Sequence, residues 1–415
     1  MRRFKKGSTF LVLCLALIVG LTACGGNNTN ENAGNNSGAS GQEDVTITMG
    51  FWGTAQDLQV YQQAADAISE TYPHITLNIK QYPSSEQFWN ILPGEIAAGV
   101  APDFIKISNE GAFEYINKGL FTALDEYIEP AGIDMSVYPE SSMNIWQVDG
   151  KQYGIPNSDM PAMFFINEDM WQEAGLGDYP TTWDEVEAAA KTLTKDGVYG
   201  LITNIDAFHI TNYAKSYGGG WGNGETINSP ENVQALEQIM DMYKEGIAVT
   251  PKTLGYGWDG EVFANEQGAM STGGYWYKGY LADANPDLNY VAIPVPQGTT
   301  AGSTMSSDAY VVLKDAKNKT AALQAAYYMT NEEVQTKFME LGFNPALKTL
   351  SPKYFEQNPE FKAIEPSLET SSDFGYPVDT KKFTDELVKQ VEAVILGGSD
   401  KSAKEILDSV QAQFQ

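Results

Sequence analysis

Arginine is almost missing from this chain: beyond Arg2 and Arg3 there is none in 415 residues. A planar, bidentate phosphate clamp is therefore unavailable to the body of the protein. Cysteine is nearly as scarce. Cys14 lies inside an apolar run and Cys24 just after it, which leaves the body no thiol for a disulfide, a thiolate metal site or nucleophilic catalysis. The two histidines, His74 and His209, stand far apart and in no zinc-binding spacing. Positive charge is also short, with 26 Lys and Arg against 54 Asp and Glu and a formal net charge of −28. A surface this acidic argues against nucleic acid and anionic lipid faces as partners. The apolar run Phe10 to Val19 is ten residues long, half of the roughly 20 that a membrane-spanning helix needs.

That short run has a purpose of its own. Arg2, Arg3, Lys5 and Lys6 precede it, and Leu21-Thr22-Ala23-Cys24 closes it. A basic head, a short apolar stretch and a small-residue exit describe an export leader, expected over residues 1–23. The exit resembles a bacterial lipobox, which implies lipidation of Cys24 after cleavage and a chain anchored on the outer face of the bacterial cell membrane. Several acyl chains on one residue anchor stably where one would not. From Gly25 to Gln42 no apolar side chain is larger than alanine. Residues 24–43 thus read as a flexible tether whose reach is on the order of 20–25 Å.

The body, beginning near residue 44, is too long for one comfortable core and predicts two lobes. In "VTITMGFW", Val45, Ile47, Met49 and Phe51 alternate as in a strand. Val60, Tyr61, Ala64, Ala65, Ile68 and Tyr72 follow at helical spacing up to Pro73, and "ITLNIKQY" alternates again. This is a βαβ unit with parallel strands. "DFIKIS" (103–108) predicts a third strand. Open α/β sheets bind ligands at the carboxyl ends of their strands, where Trp52, Asn109 and Glu110 fall. Further on, Thr182 to Glu185 predicts a capping box, and Ser229-Pro230 a capped helix that Gly246 ends. "GYGWDG" (255–260) fits a dinucleotide fingerprint in form only, because no apolar strand leads into it. "DANPDLNYVAIP" (283–294) starts like a calcium loop but has Leu288 at the glycine position and Pro294 at the final glutamate's.

Six segments taken in order carry a wider resemblance: "AAGVAPDFIKI" (97–107), "KGLFTALDEYI" (118–128), "VDGKQYGIPNSDMPAMFFINEDMWQEAGL" (148–176), "YPTTWDEVEAAAKTLT" (179–194), "FANEQGAMSTGGYW" (263–276) and "GFNPALK" (342–348). Together they resemble the extracellular solute-binding proteins of ABC importers, in the sugar-binding group to which maltose-binding protein belongs. The resemblance implies an α/β, two-lobed periplasmic-binding-protein-like fold of type II with a hinge and an interlobe cleft. It implies discontinuous lobes: residues 44–156 with 298–347, and residues 157–297 with 348–415. Crossings are expected near Pro156-Asn157, near Pro294 to Gln297 and after Asn344 to Lys348. The implied partners are a carbohydrate and the importer's transmembrane subunits, with the protein itself a monomer that needs no cofactor and performs no catalysis.

Carbohydrate is also what the residues suit. A pyranose has an apolar face and a rim of hydroxyls, so its site needs flat aromatic rings beside carboxylates and amides. Among eight tryptophans, Trp221 and Trp258 lie in glycine-rich loops, Trp52 ends a strand, and Tyr275-Trp276 follows Gly273-Gly274. The resemblance assigns stacking to Trp276 and ligand contact to Glu110, with Asn109 beside it, and brings Asp159 near a further acidic position. Asp206 and Phe208 occupy the region where the relatives carry a glutamate and a tyrosine. Asp308, in "SSDAY" before a strand, is a candidate from its loop position, and His209 lies near these contacts. Trp171 and Trp183 read as core residues, while Trp89 and Trp146 are open. Ile107 stands where maltose-binding relatives carry a stacking tryptophan, so maltose is not implied as the ligand. A polyol ligand and a surface glycoside hydrolase with paired carboxylates are the alternatives. Turnover of a bound oligosaccharide would identify the hydrolase.

Overall fold

The computed structural model describes residues 43–82 and 85–414. The leader, Cys24 and nearly all of the tether lie outside the described residues. In chain order the strands are β1 (Val45–Trp52), β2 (Ile75–Tyr82), β3 (Phe104–Ser108), the short hairpin β4 (Gln147–Val148) and β5 (Lys151–Gln152), β6 (Gly154–Pro161), β7 (Met163–Asn167), β8 (Tyr199–Ile202), β9 (Ala248–Val249), β10 (Gly268–Gly273), β11 (Tyr290–Pro294) and β12 (Met305–Val312). Apart from the hairpin they form two five-stranded sheets, ordered β2-β1-β3-β12-β6 and β11-β7-β10-β8-β9.

The first βαβ unit follows its sequence pattern. Ile47, Met49 and Phe51 of β1 are fully buried, and β1 pairs in parallel with β2 and β3. Between β1 and β2, helix Ala55–Thr71 starts at a capping box made by Thr54 and Asp57 and buries Val60, Tyr61, Ala64 and Ile68. Burying this one stripe holds the helix in place, since helices in proteins gain most of their stability from packing. In the second sheet β7 runs antiparallel to both neighbours, β10 and β11. All five of its residues are buried, because apolar clusters cover both faces of the sheet. Strands buried on both faces read as unbroken apolar runs, here "MFFI", rather than as alternation.

The chain passes between the sheets three times. β6 belongs to the first sheet through Pro161 and β7 opens the second at Met163. Pro156 and Asn157, where the sequence placed this passage, therefore lie inside a strand, because β6 pairs with β12 as far as Pro161. Residues 295–304 carry the chain back from β11 to β12. In the third passage, Leu347 and Leu350 pack under the first sheet while Tyr354 and Phe355 pack under the second.

Candidate functional site

Segments from both sheets converge on a cavity of about 370 Å³. The first lobe contributes Ser108 and Glu110 after β3, Ser158 of β6, Asp308 of β12, and Phe343 and Asn344. The second contributes Asn204, Asp206 and Phe208 after β8, Trp258 and Asp259, and Tyr275 and Trp276 after β10. Such a volume lies within the range of small-molecule sites. It sits beyond the carboxyl ends of β3, β8 and β10, where an open α/β sheet leaves its crevice.

The aromatic wall belongs to the second lobe. Trp276 opens helix Trp276–Ala284 and is 38% exposed, an uncommon state for so large an apolar ring. Its ring meets Phe208 edge-on at 5.4 Å and Tyr275 at 5.6 Å. Gly274 makes this placement possible, because a Cβ there would come within 2.3 Å of the Trp276 ring. Tyr275 lies 5.9 Å from Phe343, joining the rings of the two lobes. Trp258 meets Tyr280 edge-on at 4.7 Å.

Beside these rings lies an ionic cluster in which His209 and Asp259 are buried and the Asp206 side chain is 40% exposed. Asp206 caps helix Ala207–Ser216, its Oδ1 accepting from the His209 amide and lying 2.8 Å from His209 Nδ1. His209 is 2% exposed, and its Nε2 lies 3.0 Å from the Thr272 carbonyl and 3.8 Å from Asp259 Oδ2. Tyr277 OH donates to the same Asp259 oxygen. Burial alone would depress the His209 pKa, but the Asp206 and Asp259 charges outweigh it and raise it to about 9. Burial likewise pushes Asp206 upward, and the His209 charge and hydrogen bonds more than reverse this, so Asp206 ends below its usual range. Burial raises Asp259 against the pull of His209. Asp206, His209 and Asp259 could together offer three metal-ligating atoms. Both ring nitrogens are occupied, however, and Nε2 faces a carbonyl, which only accepts. The cluster is better described as an imidazolium held between two carboxylates.

The first-lobe wall is polar. Lys106 Nζ sits 2.5 Å from Asp308, and Ser158 Oγ lies 3.5 Å from the same carboxylate. Glu110 opens onto the cavity and makes no hydrogen bond or ion pair among the described residues. Its side chain is exposed to solvent; the protein atoms crowding the cleft around it, followed by the Asp206 charge, act to raise its pKa. Asn344 Nδ2 donates to the Asp159 carbonyl at 2.7 Å, while its buried Oδ1 has no partner.

Of the residues singled out in the sequence, Glu110, Asp206, Phe208, Trp258, Tyr275, Trp276 and Asp308 border this cavity, as does His209. The others lie elsewhere. Trp52 packs into an aromatic group, 4.8 Å from Phe88 and 5.9 Å from Trp89. Asn109 is a buried clamp: its Nδ2 donates to the Met305 carbonyl and to Asp373, and its Oδ1 accepts from the Ser307 amide. Asp159 is 3% exposed and receives a hydrogen bond from Ser142. Burial is the largest influence on it and raises its pKa to about 6. Trp221 is 1% exposed, donates to Thr211 Oγ1 and meets Phe383 edge-on. The glycine-rich loop around it does border a wider groove of about 870 Å³, but the indole points into the core. Trp171 and Trp183 are core residues as expected, and Trp146 is fully buried with Nε1 on Ser307. Sequence reasoning did not select Asp259, Phe343 or Asn344 as site residues. Asp259 directly follows Trp258, and Phe343-Asn344 lies within "GFNPALK", so adjacency to selected motifs was the available signal.

Known proteins place this architecture. An arabinooligosaccharide-binding protein of Bacillus subtilis is 27% identical over 81% of this chain and 79% of its own length. A galactooligosaccharide-binding protein of the same organism is 24% identical, over 85% and 83%. Among solved structures, an ABC substrate-binding protein from Listeria monocytogenes in complex with cycloalternan is 25% identical. Its TM-score is 0.76, with 89% of this chain and 97% of that chain covered. The cyclic alpha-maltosyl-1,6-maltose binding protein from Arthrobacter globiformis shares the fold at 17% identity, with TM-score 0.76 and coverages of 89% and 97%. The bacterial extracellular solute-binding protein profile matches residues 52–336. By that match over most of its length, and with two sheets facing a cavity, the chain belongs to the bacterial extracellular solute-binding proteins.

Proposed function

We propose that this protein is a receptor that captures a mono- or oligosaccharide between its lobes and releases it to the transmembrane subunits of an ABC importer. The observation that carries the proposal is the cavity itself: the exposed ring of Trp276, flanked by Phe208 and Tyr275, stands beside Glu110, Asp206 and Asp308. Rings give a pyranose face its apolar contact, and carboxylates accept from its hydroxyls with directional, charge-assisted bonds. The relatives named for oligosaccharide binding favour the same class. The ligand-contact residues in this proposal are those that border the cavity, with the lobes closing about the passages at Pro161–Met163, 295–304 and beyond Leu350. Ligand drives closure by its preference for the closed form. The protein acts as a monomer and performs no chemistry on its cargo.

The test is a tryptophan-fluorescence titration of the purified protein with mono- and oligosaccharides, polyols included, and chromatography of each mixture for products. A saturable response at micromolar sugar without products is expected. Silence from every sugar, with the protein folded, would overturn the carbohydrate assignment, and hydrolysis would make the protein an enzyme. We assign attachment on the outer face of the membrane to a lipidated Cys24, on the strength of the Leu21 to Cys24 motif. Cys24→Ser should release the protein from membranes, and retention would contradict the assignment.

A further inference from the structure

The free polar groups of the cavity are unbalanced in sign and in hydrogen-bonding sense. Four carboxylates border it: Glu110, Asp206, Asp259 and Asp308. Two cations answer them, and both are committed. His209 is held by Asp206, Asp259 and the Thr272 carbonyl, and Lys106 is paired with Asp308. The wider groove that also touches Glu110 and Asp206 adds Lys389, which faces Glu386 at 3.3 Å. Glu110 is left without a partner. A second group points the same way. Asn344 is 3% exposed, and its Oδ1 is buried with no donor. An unpaired buried acceptor is costly, and a ligand donor would relieve it.

Glu110 and Asp206 also come from opposite lobes, one after β3 and the other after β8. Closing the cleft brings like charges toward each other, and the Asp206 charge acts upward on the Glu110 pKa. A neutral ligand leaves that repulsion in place, whereas a cation between them removes it. Phe208, Trp276 and Tyr275 line the same cavity, and an aromatic ring face attracts a cation within about 6 Å. An ammonium carries three donors and no acceptor, which matches an unpartnered carboxylate and an unpartnered amide oxygen.

Resting on the carbohydrate assignment above, we propose that the cavity selects an amino sugar, with its protonated amine seated between Glu110 and Asp206. Acidic sugars and sugar phosphates are excluded by the same surplus of carboxylates and by the absence of arginine from the body of the chain.

The test is calorimetric titration of the purified protein with glucose, glucosamine, N-acetylglucosamine and glucuronate, and with the β-1,4 dimers cellobiose, chitobiose and diacetylchitobiose. It is run at about pH 6, well below the titration range of an amine. The amine-bearing sugar should bind at least about tenfold more tightly than its neutral and acetylated counterparts, a difference of about 1.4 kcal/mol. In Glu110→Gln that ratio should fall to near one. In the wild type it should shrink with added salt as the charge is screened. Equal or tighter binding of the neutral sugars would overturn this inference and leave the carbohydrate assignment standing. No binding by any sugar would overturn both. A ratio unchanged in Glu110→Gln and insensitive to salt would also overturn it.

Discussion

The two walls of the cavity are built on different principles. The first-lobe wall is polar: among the described residues Glu110 makes no hydrogen bond or ion pair, Asp308 pairs with Lys106 and Ser158, and the buried Asn344 Oδ1 has no donor. The second-lobe wall presents rings with Asp206 among them, its side chain 40% exposed, and buries His209 and Asp259 behind. In the proposed role, directional bonds come mainly from one lobe and apolar contact from the other, so neither wall alone supplies both. The difference also extends to stability, since removing a group from the ionic cluster should cost folding energy whereas removing an exposed ring should cost only binding.

The largest effect expected from breaking this contrast is that of His209→Ala. It leaves the buried Asp259 without its cation; breaking a fully buried pair costs about 3–5 kcal/mol, and the 40% exposure of Asp206 places this loss at the lower end. Urea unfolding should show the loss, and a cost below about 1 kcal/mol would mean that the cluster is not ionised as described. Next in size is the alkaline limb of the wild-type stability curve. The folded pKa of His209, about 9, lies above its ordinary value of 6.5. Its contribution is fully present below about pH 6.5 and is lost as pH rises through about 9, by an amount on the order of 3 kcal/mol. Melting temperature measured across that interval reads it. A curve flat between pH 7 and 10, beyond what lysine and tyrosine titration explains, would contradict the assignment. Smallest in free energy is Trp276→Ala, expected to weaken sugar binding at least tenfold, about 1.4 kcal/mol, while leaving the unfolding midpoint almost unchanged. Unaltered affinity would remove the stacking role, and a large drop in stability would place the ring in the core instead.

The parts legible from sequence were those whose environment is set nearby in the chain. Val45 to Trp52 alternates because one strand has two faces, and Thr182 and Glu185 sit three residues apart because a helix start needs its amides capped. Trp276 was singled out because the resemblance places a stacking tryptophan after Gly273-Gly274, and its ring borders the cavity. Trp221 was misleading. Its loop looks too rich in glycine to bury an indole, yet Phe383, far along the chain, closes over it. Asn109 and Asp159 follow the same logic: their partners Asp373, Ser307, Ser142 and Asn344 come from distant segments.

By itself the sequence determined the alternation of strands and helices, the acidic and arginine-free character of the body, and the order of motifs that marks the family. Periodicity, charge and local capping need no knowledge of distant contacts. Only the tertiary structure decided which carboxylates are free and which are spent. Glu110 and Asp159 are equally acidic on paper. One faces an open cavity between lobes, and the other is sealed under Ser142 with its pKa raised to about 6. Burial and pairing, which fix what a charged group can do, depend on residues that fold in from elsewhere in the chain.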